Sequence, residues 1–425
     1  MSALRPTFTG HGDQFRLKEF RQLQRKAASM QEISESRPVA SSPPATLPVA
    51  PAFWPAFLLA LAATCITVGI MWDISWHETV GRDTFWTPAH LLIYLGGALG
   101  GCVGGWLAVK HTFLANEAEK SAAVGVFGAR APLGAWVVIW GAVAMLTSGP
   151  FDNWWHNAYG LDVKIISPPH ALLGLGMFGI SFGALLTALT RQNHLPDGAG
   201  SGMFVWVGGM FVVIGAVFVM EYTFPNMQHT AIFYEVCALT FPFRLVTVGR
   251  GGRTSWPVTR VAAVCLLVEC LMIWILPLFP AQPRLAPIFN PVTHMVPPPF
   301  PLLLILPAIA IDLILCRAGE ATGWKRLALA PVLGAVFMTV FIPVQWFFSA
   351  FLISPHADNW FFAGNRIWGY GNHLGEWTTR FWRVNPADSN SDLLTLHALV
   401  VCWLLASVAS WLGLMLGGWM RKVQR

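Results

Sequence analysis

Charge is scarce in this 425-residue chain. Only 11% of its residues are Asp, Glu, Lys or Arg, against about 25% in an ordinary soluble domain. Hydrophobic residues make up 55%, and together the two figures exclude a water-soluble globular protein. Cysteine is missing from the loops. Cys65, Cys102, Cys237, Cys265, Cys270, Cys316 and Cys402 all fall in apolar windows, so they read as small buried apolar residues and not as a disulfide framework. A signal peptide of ordinary form is missing too, because the first apolar run starts near residue 53 after a long polar lead. The net charge of +6 is modest and follows from membrane orientation, so it implies no nucleic-acid partner.

Apolar windows near 20 residues, the length that spans hydrocarbon, recur along the chain. They predict an all-α polytopic bundle of about ten spans: 53–72, 89–110, 132–149, 169–190, 202–224, 230–248, 258–279, 299–317, 327–352 and 393–420. Residues 1–50 form a polar, charged tail and a Pro-rich linker. Residues 51–190 carry the motifs described below, and 191–425 add further spans with a Trp-rich outer loop at 353–392. Lys and Arg concentrate in the tail (Arg16, Lys18, Arg21, Arg25, Lys26), in the loops holding Arg250, Arg253 and Arg260 and then Arg317, Lys325 and Arg326, and at Arg421, Lys422 and Arg425. The positive-inside rule makes that side cytoplasmic, with both termini on it. The other loops are then exterior, periplasmic if the membrane is a cell inner membrane.

Histidine follows the same division. Of 12 His, His77, His90, His156, His170, His229, His294, His356 and His373 lie in or beside outer loops, and His397 is near the outer end of the last span. Four of them belong to a repeat. "WDISWHETVGRDTFWTPAH" (72–90) and "FDNWWHNAYGLDVKIISPPH" (151–170) align on Asp73 and Asp152, about 79 residues apart. His77 matches His156, Gly81 matches Gly160, Asp83 matches Asp162, and Thr87-Pro88-Ala89-His90 matches Ser167-Pro168-Pro169-His170. An apolar span follows each, with Gly96 and Gly97 in one and Gly174 and Gly176 in the other. The unit is a helical hairpin repeated in the same orientation, a common device in membrane folds.

The spacing carries chemistry. Asp and His at i and i+4 share a helix face. Thr87 and Ser167 are good N-caps, Pro88 and Pro168 suit the first helical position, and His90 and His170 then stand in the first turn. The partial positive charge of a helix N-terminus disfavours imidazolium there, which leaves these His able to bind metal. Each hairpin therefore brings one Asp and two His together: Asp73, His77 and His90, then Asp152, His156 and His170. Such a set without thiolate suits Cu(II), zinc or non-haem iron, and an outward site favours copper. It leaves coordination positions open. Asp83 and Asp162 read as acceptors for ligand His, and the Trp residues around the motifs (72, 76, 86, 154, 155) as an interfacial aromatic belt. Helix-end capping alone is the structural alternative for both sets.

Asp-x3-His-x12-His, met here as Asp73, His77 and His90, resembles the copper motif in the membrane-embedded C subunit of particulate methane and ammonia monooxygenases. That subunit carries a second set of the form Asn-x3-His-x13-His, to which Asp152, His156 and His170 are similar with Asp in place of Asn. The resemblance covers about residues 51–190. It implies a copper-dependent monooxygenase activity on a small apolar substrate, with O2 as co-substrate and electrons from a quinol or a protein donor, and partner membrane subunits or a homo-oligomer. This chain runs on through six more spans and shows no soluble cupredoxin-like region. The alternative from a different class is a transporter or metal-handling protein that captures copper or zinc at the outer face. In it Glu235, Glu269 and Asp312, ionisable residues at membrane depth, mark a path inward. Asn290 with His294, His229 with Glu221, and His356, Asp358, His373 and Glu376 are weaker polar groupings on the outer side.

Overall fold

In the computed structural model of the protein, the described residues are 51–424 except 82–85, 161–166, 197, 285–291, 321 and 364–392. The polar tail, Asp83, Asp162, Asn290, His373, Glu376 and most of the outer loop therefore lie outside the described residues. Ala50–Arg425 hold together as one unit.

Among the described residues nine helices are long and apolar enough to cross a membrane, and the architecture is an all-α polytopic bundle. α1 (Phe53–Thr79) and α2 (Pro88–Val109, continued as a π turn to Leu114) form the first hairpin. A short helix α3 (Glu117–Ala122) and a two-stranded antiparallel hairpin, β1 (Val124–Val126) with β2 (Ala129–Ala131), join it to the second. That hairpin is α4 (Leu133–Tyr159) with α5 (Pro168–His194). α6 (Ser201–Phe218), α7 (Ala231–Gly251), α8 (Pro257–Ile275), α9 (Ile305–Ala318), α10 (Trp324–Leu352) and α11 (Leu396–Met420) complete the chain. The core runs continuously through the bundle, from Leu59 and Ile66 through Ile180 and Phe211 to Phe241 and Phe337. Large apolar residues such as Leu95, Leu146, Leu175 and Val408 remain exposed on the outside of the spans, where lipid rather than water is the solvent.

The tenth span differs from the sequence expectation of a helix over 299–317. α9 has 14 residues, or about 21 Å at 1.5 Å per residue, short of the roughly 30 Å hydrocarbon core. The cause is Pro297, Pro298, Pro299 and Pro301, which lack the N–H that a helix needs and push their neighbours to extended backbone. The chain still runs from one end of the bundle to the other. Val296 is tied to the motif end of α1, donating from its N–H to Thr79 Oγ1 (2.9 Å) and accepting from Ser75 Oγ (2.5 Å). Leu303 N–H donates to Gln345 Oε1 on α10 (3.0 Å). At the other end Asp312 accepts from Val258 N–H (3.2 Å), Thr259 N–H (2.8 Å) and Thr259 Oγ1 (2.7 Å), capping the start of α8. Irregular backbone at membrane depth is tolerated when protein surrounds it, and residues 295–302 are all buried.

The described chain enters and leaves at one end of the bundle. Arg191 donates to the Pro51 carbonyl, Asn193 Nδ2 to Val423 O (2.8 Å), and Arg250 to Gly319 O (2.6 Å). Those contacts gather the ends of α5, α7, α9 and α11 at the start of α1. The Asp/His motifs occupy the opposite end.

Candidate metal centre

The two hairpins share one backbone plan at matched positions. α1 continues beyond the predicted span edge at 72, so Asp73 and His77 stand on its last turns, and α4 likewise carries Asp152 and His156 beyond 149. Gly81 and Gly160, at the same offset in each copy, have φ of 92° and 85°. This left-handed conformation ends a helix at little cost only in glycine. The outgoing helices start at Pro88 and Pro168, as the spacing predicts. Six residues after each second His a glycine meets the incoming helix. A Cβ on Gly96 would lie 2.8 Å from Ala62 O, and one on Gly176 would lie 2.8 Å from Gly141 O. Ala62 and Gly141 are themselves equivalent, each eleven residues before the motif Asp. Small residues at such crossings let helix backbones close up, and the close approach is what brings the two helix ends together.

In the first copy one ligand atom from each of Asp73, His77 and His90 lies within 4.8 Å of the others. Asp73 Oδ1 is 3.0 Å from His90 Nε2, and Oδ2 is 3.7 Å from His77 Nε2. In the second, Asp152 Oδ1 is 3.2 Å from His156 Nε2 and 3.8 Å from His170 Nε2. Ligands about 2.0–2.1 Å from a tetrahedral metal stand roughly 3.3 Å apart, inside the range of these separations. Among the described residues only the first set gathers one ligand atom from each residue in this way; in the second, Asp152 approaches each His but the three do not form such a mutual cluster.

The caps are not equivalent. Thr87 Oγ1 accepts from His90 N–H (3.1 Å), as expected of an N-cap. Ser167 makes no backbone cap; its hydroxyl pairs with His170 Nδ1 at 2.9 Å. His156 Nδ1 lies 2.9 Å from Gly160 O. A carbonyl can only accept, so Nδ1 carries the proton, and in the neutral ring Nε2 presents a lone pair towards Asp152 Oδ1. Fixing the far nitrogen in this way is how proteins aim a metal-binding imidazole.

Two buried oxygens test whether a cation fits. Asp73 Oδ1 and Asp152 Oδ1 accept no hydrogen bond among the described residues, although imidazole nitrogens stand 3.0 Å and 3.2 Å away. A cation between carboxylate and imidazole would satisfy these acceptors, and leaving a buried acceptor unsatisfied costs about 1–3 kcal/mol. Asp73, His77 and His90 therefore form a donor set that could hold a metal ion. Tyr94, one turn beyond His90, has its ring 6.0 Å from the His90 ring. Sequence reasoning missed Tyr94 because the repeat has Gly174 at the matching place; its i+4 spacing from His90 was the available signal.

Other polar groups take structural parts. Burial pulls His229 down to about 4; it packs on Trp346 with ring centroids 4.0 Å apart and pairs with Ser349 Oγ at 3.0 Å. His294 is exposed beside Thr293, and His356 and His397 are exposed. Asp312 is occupied as the cap of α8 described above. Compared with protein-family models, with curated proteins and with solved structures, the chain matches none.

Proposed function

We propose that the protein is an integral-membrane metalloprotein whose Asp73/His77/His90 and Asp152/His156/His170 sets hold copper, and that it is an oxidoreductase of the copper monooxygenase type. The observation that carries the metal reading is the convergence of Asp73, His77 and His90 within 4.8 Å, with a buried Asp73 oxygen that no donor among the described residues satisfies. The monooxygenase reading rests on the spacing of the two motifs. Copper would supply O2 activation: one oxygen atom goes into a C–H bond of a small apolar substrate and the other leaves as water. Two electrons and two protons come from a quinol or a protein donor. The chain's own part is to offset metal charge with Asp73 and Asp152, to fix the imidazoles through Gly160 O and Ser167, and to keep the site at the bundle end, open to substrate from the bilayer. Zinc or iron in the same donor set is the chemical alternative. The metal-transport alternative loses one inward step, because Asp312 is tied up in capping α8.

The test is metal analysis of protein purified in native lipid, paired with electron paramagnetic resonance. A Cu(II) signal with nitrogen and oxygen ligands is expected. His77→Ala should lose the copper of the first set with folding nearly intact, because packing within the spans holds the bundle. Asp73→Asn should be milder, since an oxygen ligand remains. Unchanged copper in both His77→Ala and His156→Ala would end the proposal.

A further inference from the structure

The link between the two Asp/His hairpins, at the bundle end away from the motifs, carries an apolar tip. β1 and β2 pair Val126 with Ala129, so Phe127 and Gly128 alone make the turn. Both have positive φ, 50° and 84°, as a mirror-image hairpin turn requires. Such turns favour Asn, Asp or Gly, and a bulky residue there is strained. Phe127 is also 96% exposed. A strained aromatic side chain that touches almost nothing of its own protein adds nothing to its packing.

The neighbouring surface indicates what covers this side chain. α2 with its π turn runs over 27 residues, Pro88–Leu114, or about 40 Å at 1.5 Å per residue. The hydrocarbon core is roughly 30 Å thick and the bilayer with its head groups about 40–45 Å, so a helix that starts at one face ends in the head-group layer of the other. One apolar stripe of α2 is exposed along its length: Leu91, Leu95, Cys102, Trp106 and Val109. These positions share one helix face, and in a bilayer that face meets lipid. Phe113, 76% exposed, comes one turn further and is followed by exposed Leu114. The hairpin is fastened at this place. Thr112 Oγ1 accepts from Arg130 N–H (2.8 Å), and Trp136 Nε1 of α4 donates to Val124 O (2.9 Å). Phe127 lies three residues before Arg130, at most about 11 Å away. The apolar tip therefore continues the lipid-facing surface of α2. Polar side chains gather in a separate cleft, walled by Thr112, Glu117, Lys120, Ser121, Gly128 and Arg130. Lys110 pairs with Glu119 (2.9 Å) and Lys120 with Glu117 (3.0 Å), so the acids of this unit are matched from within. Exposed Phe and Leu beside basic residues suit the boundary between head groups and acyl chains.

We propose that Phe127 inserts into the lipid interface beside α2, together with Phe113 and Leu114, and anchors the β1–β2 hairpin to the membrane surface. Lipid then covers the side chain that the turn strains, and the link between the two motif hairpins is held at a fixed depth.

The test places the photoreactive analogue p-benzoylphenylalanine at position 127 of the full-length protein in lipid nanodiscs. The same analogue in place of Trp106 is the lipid-facing reference, and in place of Ser121, on the polar cleft, the water-facing one. Illumination should give phospholipid adducts, read by intact mass, at 127 and 106 and several-fold fewer at 121. A second arm needs no variant. Wild-type protein is illuminated in nanodiscs whose phospholipid carries a diazirine on an acyl carbon close to the head group, and the tryptic peptide 121–130 should carry label. Absence of a lipid adduct at 127 where 106 gives one, adducts at 127 to a second protein chain only, or an unlabelled peptide 121–130 beside labelled α2 would each overturn the proposal.

Discussion

Thr87→Ala and Ser167→Ala remove the same hydroxyl from matched positions, yet they should fail differently. Thr87 caps its helix through His90 N–H at 3.1 Å. Its loss should cost about 1 kcal/mol, the usual value for an N-cap. In a chain of this size that amounts to a Tm decrease of roughly 2 °C, at or below the lower end of what 1 kcal/mol does in smaller domains. Ser167 caps no backbone group, so Ser167→Ala should stay within about 0.5 kcal/mol of wild type, as for changes that touch no special feature. Its hydroxyl instead holds His170 Nδ1 at 2.9 Å, and losing such a partner typically weakens metal binding about 10–100-fold. At 1.36 kcal/mol per decade this is roughly 1.4–2.7 kcal/mol. The assay is copper competition against graded chelators, read by electron paramagnetic resonance on both variants, beside thermal unfolding of the metal-free forms. Ser167→Ala should weaken one copper class with Tm unchanged. Thr87→Ala should lower Tm with a smaller effect on copper. If Ser167→Ala destabilised the apoprotein as Thr87→Ala does and bound copper as wild type, the Ser167–His170 contact would be packing alone.

Three further outcomes follow from the same coordinates. Gly176→Ala places a Cβ 2.5 Å from Met145 Cγ and 2.8 Å from Gly141 O and should cost about 1–3 kcal/mol as overpacking, whereas Gly105→Ala meets open space and should gain up to about 1 kcal/mol from helix propensity; thermal unfolding of the two, side by side, reads the difference. Because His229 titrates near 4 when folded and near 6.5 unfolded, the unfolded chain binds the extra proton between those values. Stability from this residue is complete above about pH 6.5 and is lost as pH falls towards 4, so His229→Gln should flatten the pH dependence of Tm in that window. Reporter fusions after residues 120, 254 and 321 should read cytoplasmic, and fusions near 160 and 285 exterior; the opposite signal at 160 would reverse the orientation.

The spans were legible because hydrocarbon thickness imposes a length that composition alone reveals. The hairpin repeat was legible because each matched residue does a local job: Gly81 and Gly160 terminate helices, Pro88 and Pro168 start them, Gly96 and Gly176 let backbones meet. The tenth span was misread because mean hydropathy counts proline as tolerable, although "VPPPFP" (296–301) held the signal against a helix. Ser167 was misread for another reason. Cap and imidazole partner compete for one hydroxyl, and which one wins depends on the ring position three residues away. Asp312 was out of reach altogether, since its partners Val258 and Thr259 are more than 50 residues distant in sequence, and only the packing of α9 on α8 brings them together.

The two Asp/His sets share one backbone plan but not one environment. The Asp73 side chain is 12% exposed and that of Asp152 is 35% exposed. A carboxylate in the drier place has less water to replace what it lost, and opposite charges attract more strongly where the effective dielectric is lower. Asp73 therefore depends more on a cation than Asp152 does. In the second set the imidazoles are held from behind, by Gly160 O and Ser167, and the carboxylate is partly hydrated. The partners behind the rings favour binding, whereas hydration of the carboxylate lowers the cost of standing empty; on the proposed function, the exposure of Asp152 makes the second set release its ion more readily than the first. On the proposed function, burial of the carboxylate and the hydrogen bonds behind the rings set the affinities of the two sites apart. Copper should accordingly leave the Asp152 set before the Asp73 set as a chelator is raised.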